Sequence, residues 1–283
     1  GLGDVYKRQR FNTDTASLEY YRGDTIGWTQ IEMTSPDLDG GARGIYGGGN
    51  TPSLVDTIEY INVLSTGNPT DFGNLLATTT GSCGTSSRTR GLFTGTSTTN
   101  VIQYVTISST GDAINFGDAS DILGYRGGCS NDIRSVTNGG NPNSNVMDYS
   151  TFATLGDAQD FGDLTVKRGI IKAANSSTRG VIGGGYEGPS PNLSMDYVTI
   201  STRGNAVDFA DTLPSTGQSG GACESATRAL WSGSYSNVIG YITIATLGDM
   251  VDFGDNFTSR GHRPACSSPT RGFWNGGRNS SSP

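Results

Sequence analysis

Two patterns of apolar residues alternate along the chain. In one, adjacent positions are both apolar: Ile45-Tyr46, Leu92-Phe93, Val181-Ile182, Leu230-Trp231 and Phe273-Trp274. A strand that is apolar on both faces is expected to be buried on both faces. In the other, apolar and polar residues alternate with period two, with Tyr197 and Thr199 on one side and Val198 and Ile200 on the other. No window sustains apolar residues at i, i+3 and i+4, so the pattern predicts short strands and almost no helix.

These strands recur as a unit. An arginine opens each unit in ARGIYGGG, TRGLFTG, IRSVTNGG, TRGVIGGG, TRALWSG and TRGFWNGG, at Arg43, Arg90, Arg134, Arg179, Arg228 and Arg271. The alternating strand follows, carrying Tyr60, Tyr104, Tyr149, Tyr197 and Tyr241, spaced 44, 45, 48 and 44 residues apart. An aromatic turn closes the unit with Phe72, Phe116, Phe161, Phe209 and Phe253, each 12 residues after its tyrosine. Gly-Asp or Gly-Asn between them, as at Gly111-Asp112 and Gly204-Asn205, suits a tight type II′ hairpin. A small-residue strand such as SGGACESAT precedes the next arginine. Four short strands in 44 to 48 residues match the size of a propeller blade.

The fold expected is therefore all-β: a β-propeller of about six, or seven, four-stranded blades. Residues 42–277 hold the repeats, divided near 42–88, 89–133, 134–177, 178–226 and 227–269, with a partial repeat from 270. Residues 10–41 read as a partial, degenerate blade in which Trp28, 44 residues before Phe72, takes the phenylalanine's place. Residues 1–9, GLGDVYKRQ, fit no repeat anchor and read as translated sequencing-library adapter; residues 278–283 read as a truncated end.

Glycine-rich TRGVIGGGYEGPSPNLSMDYVTIST could suggest a phosphate loop. Such a loop needs a helix behind its glycines and usually a Lys-Ser or Lys-Thr pair. Here Pro189 and Pro191 follow, then a period-two strand, so Gly183 to Gly185 are expected to end an inner blade strand.

Composition narrows the function. The 43 glycines among 283 residues suit a turn-rich all-β protein. With 26 acidic against 19 basic residues, the net charge of −7 argues against nucleic-acid binding. No run has the length of a membrane-spanning helix, so no membrane insertion is expected.

Candidate chemistry is sparse, and no catalytic, metal or cofactor site is expected. Three of Cys83, Cys129, Cys223 and Cys266 stand five residues before a repeat arginine, Cys83 seven, and Ala174 fills the place in the remaining repeat. Equivalent positions in successive blades are core sites rather than zinc spacing, so buried free thiols are expected. His262, the only histidine, reads as a solvated loop residue without a nucleophile beside it. PDLDGG at 36–41 lacks the closing ligands of a calcium loop, and Arg-Gly-Asp at 22–24 is a lone tripeptide. Asp118, Asp163, Asp211 and Asp255 are expected to cap turns. The six arginines are expected to tie blades together through bidentate contacts with aspartates of the DFGD turns; a ring of arginines lining an anion channel is the alternative.

The Arg-strand-Gly-Gly pattern with its tyrosine strand and aromatic turn resembles kelch-type propellers, with phenylalanine where kelch repeats usually carry tryptophan. Units such as TRGVIGGG…MDYVTISTRGNAVDFAD also resemble repeat proteins of marine tailed phages, over about residues 42–277. That resemblance implies a virion structural protein of a tail fibre or baseplate, and it carries over no catalytic residues. The expected function is a non-enzymatic binding or structural module. It would contact a host surface glycan or protein, and other virion proteins, through loops such as 138–146 and 186–194. The alternatives are a secreted or surface-bound bacterial adhesion protein of kelch type and, third, a glycan-active enzyme on the same scaffold, which would need two convergent carboxylates.

Overall fold

The computed structural model describes residues 9–12, 17–21, 24–25, 27–30, 40–217 and 219–278. All regular structure in these residues is β, and no helix among them is long and apolar enough to cross a membrane. The chain forms two compact units, Gly1–Leu38 and Asp39–Pro283.

In the smaller unit, β1 (Gln9–Asn12), β2 (Ser17–Tyr21) and β3 (Trp28–Gln30) make an antiparallel sheet. Trp28 lies 5.4 Å from Tyr21, and the Arg10 guanidinium sits over the indole at 4.4 Å. Residues 1–8 of the expected adapter remnant 1–9, the tripeptide residues Arg22 and Gly23, residues 36–39 of PDLDGG and residues 279–283 of the expected truncated end lie outside the described residues, while Gln9 opens β1.

The larger unit is a propeller. Its first blade is three-stranded: β4 (Arg43–Asn50), β5 (Leu54–Asn62) and β6 (Thr70–Asn74). Four blades are four-stranded meanders. The second comprises β7 (Cys83–Ser86), β8 (Arg90–Thr94), β9 (Val101–Thr106) and β10 (Ile114–Asp118). The third comprises β11 (Gly127–Ser130), β12 (Arg134–Asn138), β13 (Ser144–Thr151) and β14 (Gln159–Arg168). The fourth is built from β15 (Lys172–Asn175) and β16 (Arg179–Gly183), then a small hairpin, β17 (Tyr186–Glu187) with β18 (Ser190–Pro191), then β19 (Ser194–Thr199) and β20 (Val207–Asp211). The fifth comprises β21 (Ser219–Glu224), β22 (Arg228–Gly233), β23 (Val238–Thr243) and β24 (Val251–Asp255). A half-blade, β25 (Ala265–Ser267) with β26 (Gly272–Trp274), closes the ring against the first blade. Where about six or seven blades were expected, the described residues form five blades, the first of them three-stranded, and a half-blade.

The small-residue strands β7, β11, β15, β21 and β25 lie innermost and pack against one another around the axis. The arginine strand is second from the axis, an inner strand as its glycines suggested. Small side chains are what several strands converging on one axis can accommodate. Each inner strand also meets a small residue of the next blade, and these pairs match in size. The Cys129 Sγ lies against Gly180, Cys223 against Gly272 and Cys266 against Gly44. Ala174 shares a buried cluster with Ala229, and the Thr85 hydroxyl bonds that of Ser135 at 2.7 Å. All four cysteines are free; burial pushes the Cys83 thiol up to about 11 and that of Cys223 to about 12.

Each phenylalanine sits at a β-bulge, where the register of the outer strand slips by one residue. In the first four blades the bulge turns the ring toward the next blade. Phe116 packs on Phe152, and Phe161 on Val198, Ile200 and Ala206. The ring also meets its own tyrosine edge-on, with centroids 6.0 to 6.2 Å apart across the five pairs.

Gly-Asp does not form the expected two-residue hairpin turn. Its backbone serves the preceding blade: the Gly111 N–H donates to the Phe72 carbonyl at 2.7 Å, and the Ala113 N–H to that of Asn74 at 2.8 Å. The Asp112 carboxylate accepts the Asn74 N–H at 2.9 Å, and Asp157, Asn205 and Asp249 repeat the contact. The side chains that clasp are therefore those of the Gly-Asp turn, while Asp118, Asp163 and Asp211 contribute backbone N–H groups. Phe116 is followed by Gly117 (φ 152°) because a Cβ there would stand 2.2 Å from the Gly156 carbonyl oxygen.

Candidate functional site

The arginine anchors join blades without using carboxylates. In the sheet, Arg90 pairs with Thr106 and Leu92 with Tyr104, so Arg90 lies diagonal to the tyrosine on one face. Five guanidinium groups stack on the tyrosine of their own blade at 4.4 to 4.9 Å: Arg43, Arg90, Arg134, Arg179 and Arg228. Four then donate to a carbonyl in the next blade: Arg43 to Ile107 (2.8 Å), Arg90 to Phe152, Arg134 to Ile200 (3.0 Å) and Arg179 to Ile244 (2.9 Å). Arg271 reaches Leu64 in the same way at 3.1 Å. The expected Arg–Asp contacts are replaced because the tyrosine face and an unpaired carbonyl lie nearer the guanidinium than the DFGD carboxylates do. Of the six, Arg43 alone lines either of the two cavities along the inner strands described below, so they do not form an arginine-lined channel.

Buried Arg–Asp pairs exist elsewhere. Arg126 bonds Asp148 at 2.7 Å and Arg168 bonds Asp196 at 2.9 Å, with all four side chains excluded from solvent. Arg168 also donates to Asn192 and Ser194, anchoring the base of the loop that carries Tyr186. Both arginines sit where the chain crosses into a new inner strand.

One face of the propeller carries a concave site of about 360 Å³. It is lined by Asn141 and Asn143 from the third blade, Tyr186, Gly188 and Pro189 from the β17–β18 hairpin, Ser234 and Tyr235 from the fifth blade, and the crossover residues Ile170 and His262. Loops 138–146 and 186–194, singled out from the sequence, meet here. Their bases are fixed by backbone pairs: Asn141 with Gly124, Tyr186 with Gly169, and the Tyr235 N–H on the Arg260 carbonyl. Tyr125, Ile170, Tyr235 and His262 all take left-handed backbone conformations, with φ between 53° and 55°. For non-glycine residues, and β-branched Ile170 above all, this costs about 1–2 kcal/mol each. The neighbouring pairs hold them there.

His262 is central to this face. Its ring lies 6.0 Å from Tyr125 and 6.2 Å from Tyr235. Burial, with help from Lys172 and Arg278, holds its pKa below the usual histidine value, which favours the neutral ring. A neutral imidazole offers one donor and one acceptor. It is an exposed loop residue, as expected, and it also joins an aromatic cluster. Sequence reading missed a signal: Tyr125, Ile170 and His262 occupy one repeat position, four residues before Cys129, Ala174 and Cys266.

Below the site, an axial cavity is lined by Lys172, Arg126, Arg263 and small residues of the inner strands. Farther along, a second cavity is lined by Ser86, Ser130, Asn175, Glu224 and Ser267. Burial raises the Glu224 pKa to about 7 and lowers that of Lys172. Among the described residues, no group of three or more His, Cys, Asp or Glu side chains could hold a metal ion.

The fold and site define a β-propeller with an aromatic cleft on its loop face. No family model matches the chain, and no curated protein matches it.

Proposed function

We propose that the chain is a non-enzymatic binding module that recognises a saccharide in the cleft between the third, fourth and fifth blades. The observation that carries this reading is the lining. Tyr186 and Tyr235 supply flat apolar surface with polar edges, and Asn141, Asn143 and Ser234 supply amide and hydroxyl groups. Sugar rings present an apolar C–H face and a rim of hydroxyls, which this combination complements. The cleft volume lies within the range of small-ligand sites.

The setting we propose is a kelch-like repeat protein of a phage tail, touching a host surface glycan and neighbouring virion proteins. The likeness of the repeat units to marine tailed-phage proteins supports this reading, and the net charge of −7 suits a partner other than nucleic acid. A glycan array probed with the wild-type chain and with the Tyr186→Ala/Tyr235→Ala variant tests it. Binding to a defined saccharide class, lost in the variant, is expected; no glycan bound by the folded wild type overturns it.

A further inference from the structure

The walls of the cleft differ in how they are built. Those from the third and fifth blades belong to short connections, 139–143 and 234–237, whereas the fourth-blade wall belongs to the longer segment 184–193, which carries the β17–β18 hairpin. Tyr186, Gly188 and Pro189 of this hairpin line the cleft, and residues 187–190 at its tip are exposed. A hairpin with two-residue strands is marginal in water by itself. What ties it to the core therefore decides where Tyr186 stands.

Main-chain bonds fix its base. The Tyr186 N–H donates to the Gly169 carbonyl at 2.9 Å, the Gly169 N–H to the Tyr186 carbonyl at 3.0 Å, and the Asn192 N–H to the Gly185 carbonyl at 2.8 Å. The tip is held through side chains. Asn192 Nδ2 donates to Glu187 Oε2 at 3.0 Å, and Asn192 Oδ1 accepts from Arg168 Nη1 at 3.2 Å and from the Ser194 N–H at 2.9 Å. Arg168 is locked in turn by its 2.9 Å bond to Asp196, whose other carboxylate oxygen accepts from the Thr165 hydroxyl at 2.6 Å. A continuous chain thus runs from the core to the rim of the cleft: Asp196, Arg168, Asn192, Glu187. The amide at its centre has one workable orientation. Its oxygen faces a guanidinium and its nitrogen a carboxylate, so a reversed amide would set donor against donor and acceptor against acceptor.

We infer that Asn192 is a positioning residue of the cleft: it sets the Tyr186 wall by coupling the hairpin tip to the buried Arg168–Asp196 pair. The inference rests on the reading of the cleft as a saccharide site. Asn192 is not itself among the residues that line the cleft, so it acts through the hairpin rather than by touching the sugar. A wall held in place before binding raises affinity by sparing the cost of ordering it on binding. The polarity of the amide makes the coupling separable from the fold. Asn192→Asp keeps an acceptor toward Arg168 but sets a second carboxylate against Glu187, and like charges at that distance repel. Adding Glu187→Gln restores the contact with donor and acceptor exchanged, because the new amide donates to the new carboxylate.

The test compares the wild-type chain, Asn192→Asp and Asn192→Asp/Glu187→Gln by amide hydrogen exchange and by a concentration series on the glycan array. Asn192 is half-buried and Glu187 exposed, so all three proteins are expected to unfold cooperatively at similar temperatures. In Asn192→Asp the Tyr186 and Gly169 amides are expected to exchange about tenfold faster and glycan binding to weaken about tenfold; both recover in the double variant. Unchanged exchange at these amides in Asn192→Asp, or no recovery in the double variant, overturns the inference. So does faster exchange with unchanged glycan binding, because the place of Tyr186 then does not matter. If no glycan binds the folded wild type while exchange responds as expected, the saccharide reading falls and the positioning of the hairpin by Asn192 stands.

Discussion

The Cys129 Sγ lies so close to Gly180 of the next blade that a Cβ built on the glycine would stand 2.4 Å from it. One blade further on, the same pair of positions is filled by Ala174 and Ala229. The inner strand gives up a sulfur where its neighbour gains a methyl group, and the space between the blades stays filled. Close-packed interiors tolerate such volume-conserving exchanges better than one-sided ones.

Gly180→Ala is expected to cost about 1–3 kcal/mol through overpacking against the sulfur. Adding Cys129→Ala should recover most of that loss, because it recreates the Ala174–Ala229 pair. Urea denaturation of the two single variants and the double variant measures the coupling. Independent, additive effects would contradict the packing account.

The thiols should be inert in the folded protein. Burial holds Cys83 near 11 and Cys223 near 12 and raises Cys129 and Cys266 as well, so little thiolate exists at pH 8. A colorimetric thiol reagent should react slowly with the native chain and with all four cysteines in denaturant. Rapid reaction of several thiols under native conditions would contradict their burial.

Glu224 gives a pH dependence with a definite sign. Its folded pKa of about 7 lies above the usual carboxylate value, so between these values the folded chain binds more protons than the unfolded one. Stability contributed by this group therefore falls as pH rises from about 4.5 to 7. Glu224→Gln should flatten that part of the profile and raise stability at pH 8 relative to wild type. Unfolding free energies at pH 5 and pH 8 for both proteins check it; parallel profiles would contradict it.

The buried pair Arg126–Asp148 should be unforgiving to loss of one partner. Asp148→Ala leaves a guanidinium uncompensated in the core and is expected to cost about 3–5 kcal/mol. Arg179→Met removes a stack and a carbonyl bond at a half-buried position, and a smaller loss of about 1–2 kcal/mol is expected. Thermal denaturation ranks the two. A larger loss for Arg179→Met would contradict the burial assigned to each.

The repeat, its strands and its propeller architecture were legible because three anchors recur at fixed spacing and each strand type has its own polarity pattern. Relationships between blades were not. The arginine's partner is a main-chain carbonyl, which has no sequence signature, so a DFGD carboxylate looked the better acceptor. The phenylalanine bulge leaves the period-two pattern unchanged while turning the ring toward the next blade. The Gly-Asp pair resembles a hairpin turn because the same residue types suit both a turn and a close backbone approach. At the cleft, the loops at 138–146 and 186–194, singled out because loops vary while the scaffold repeats, line one concave surface. The aromatic neighbours of the exposed His262 were not legible, because they follow from its alignment with Tyr125 and Ile170 rather than from its own surroundings.

The single histidine allows a direct test of the cleft. A saccharide selected on the array would be titrated into the chain while the Cε1–H signal of His262 is followed by NMR. Binding in the cleft predicts a saturable shift of that signal, with the same midpoint as calorimetry, and loss of both in Tyr235→Ala. Saturable calorimetric binding with an unmoved His262 signal would place the ligand elsewhere and contradict the assignment of this cleft.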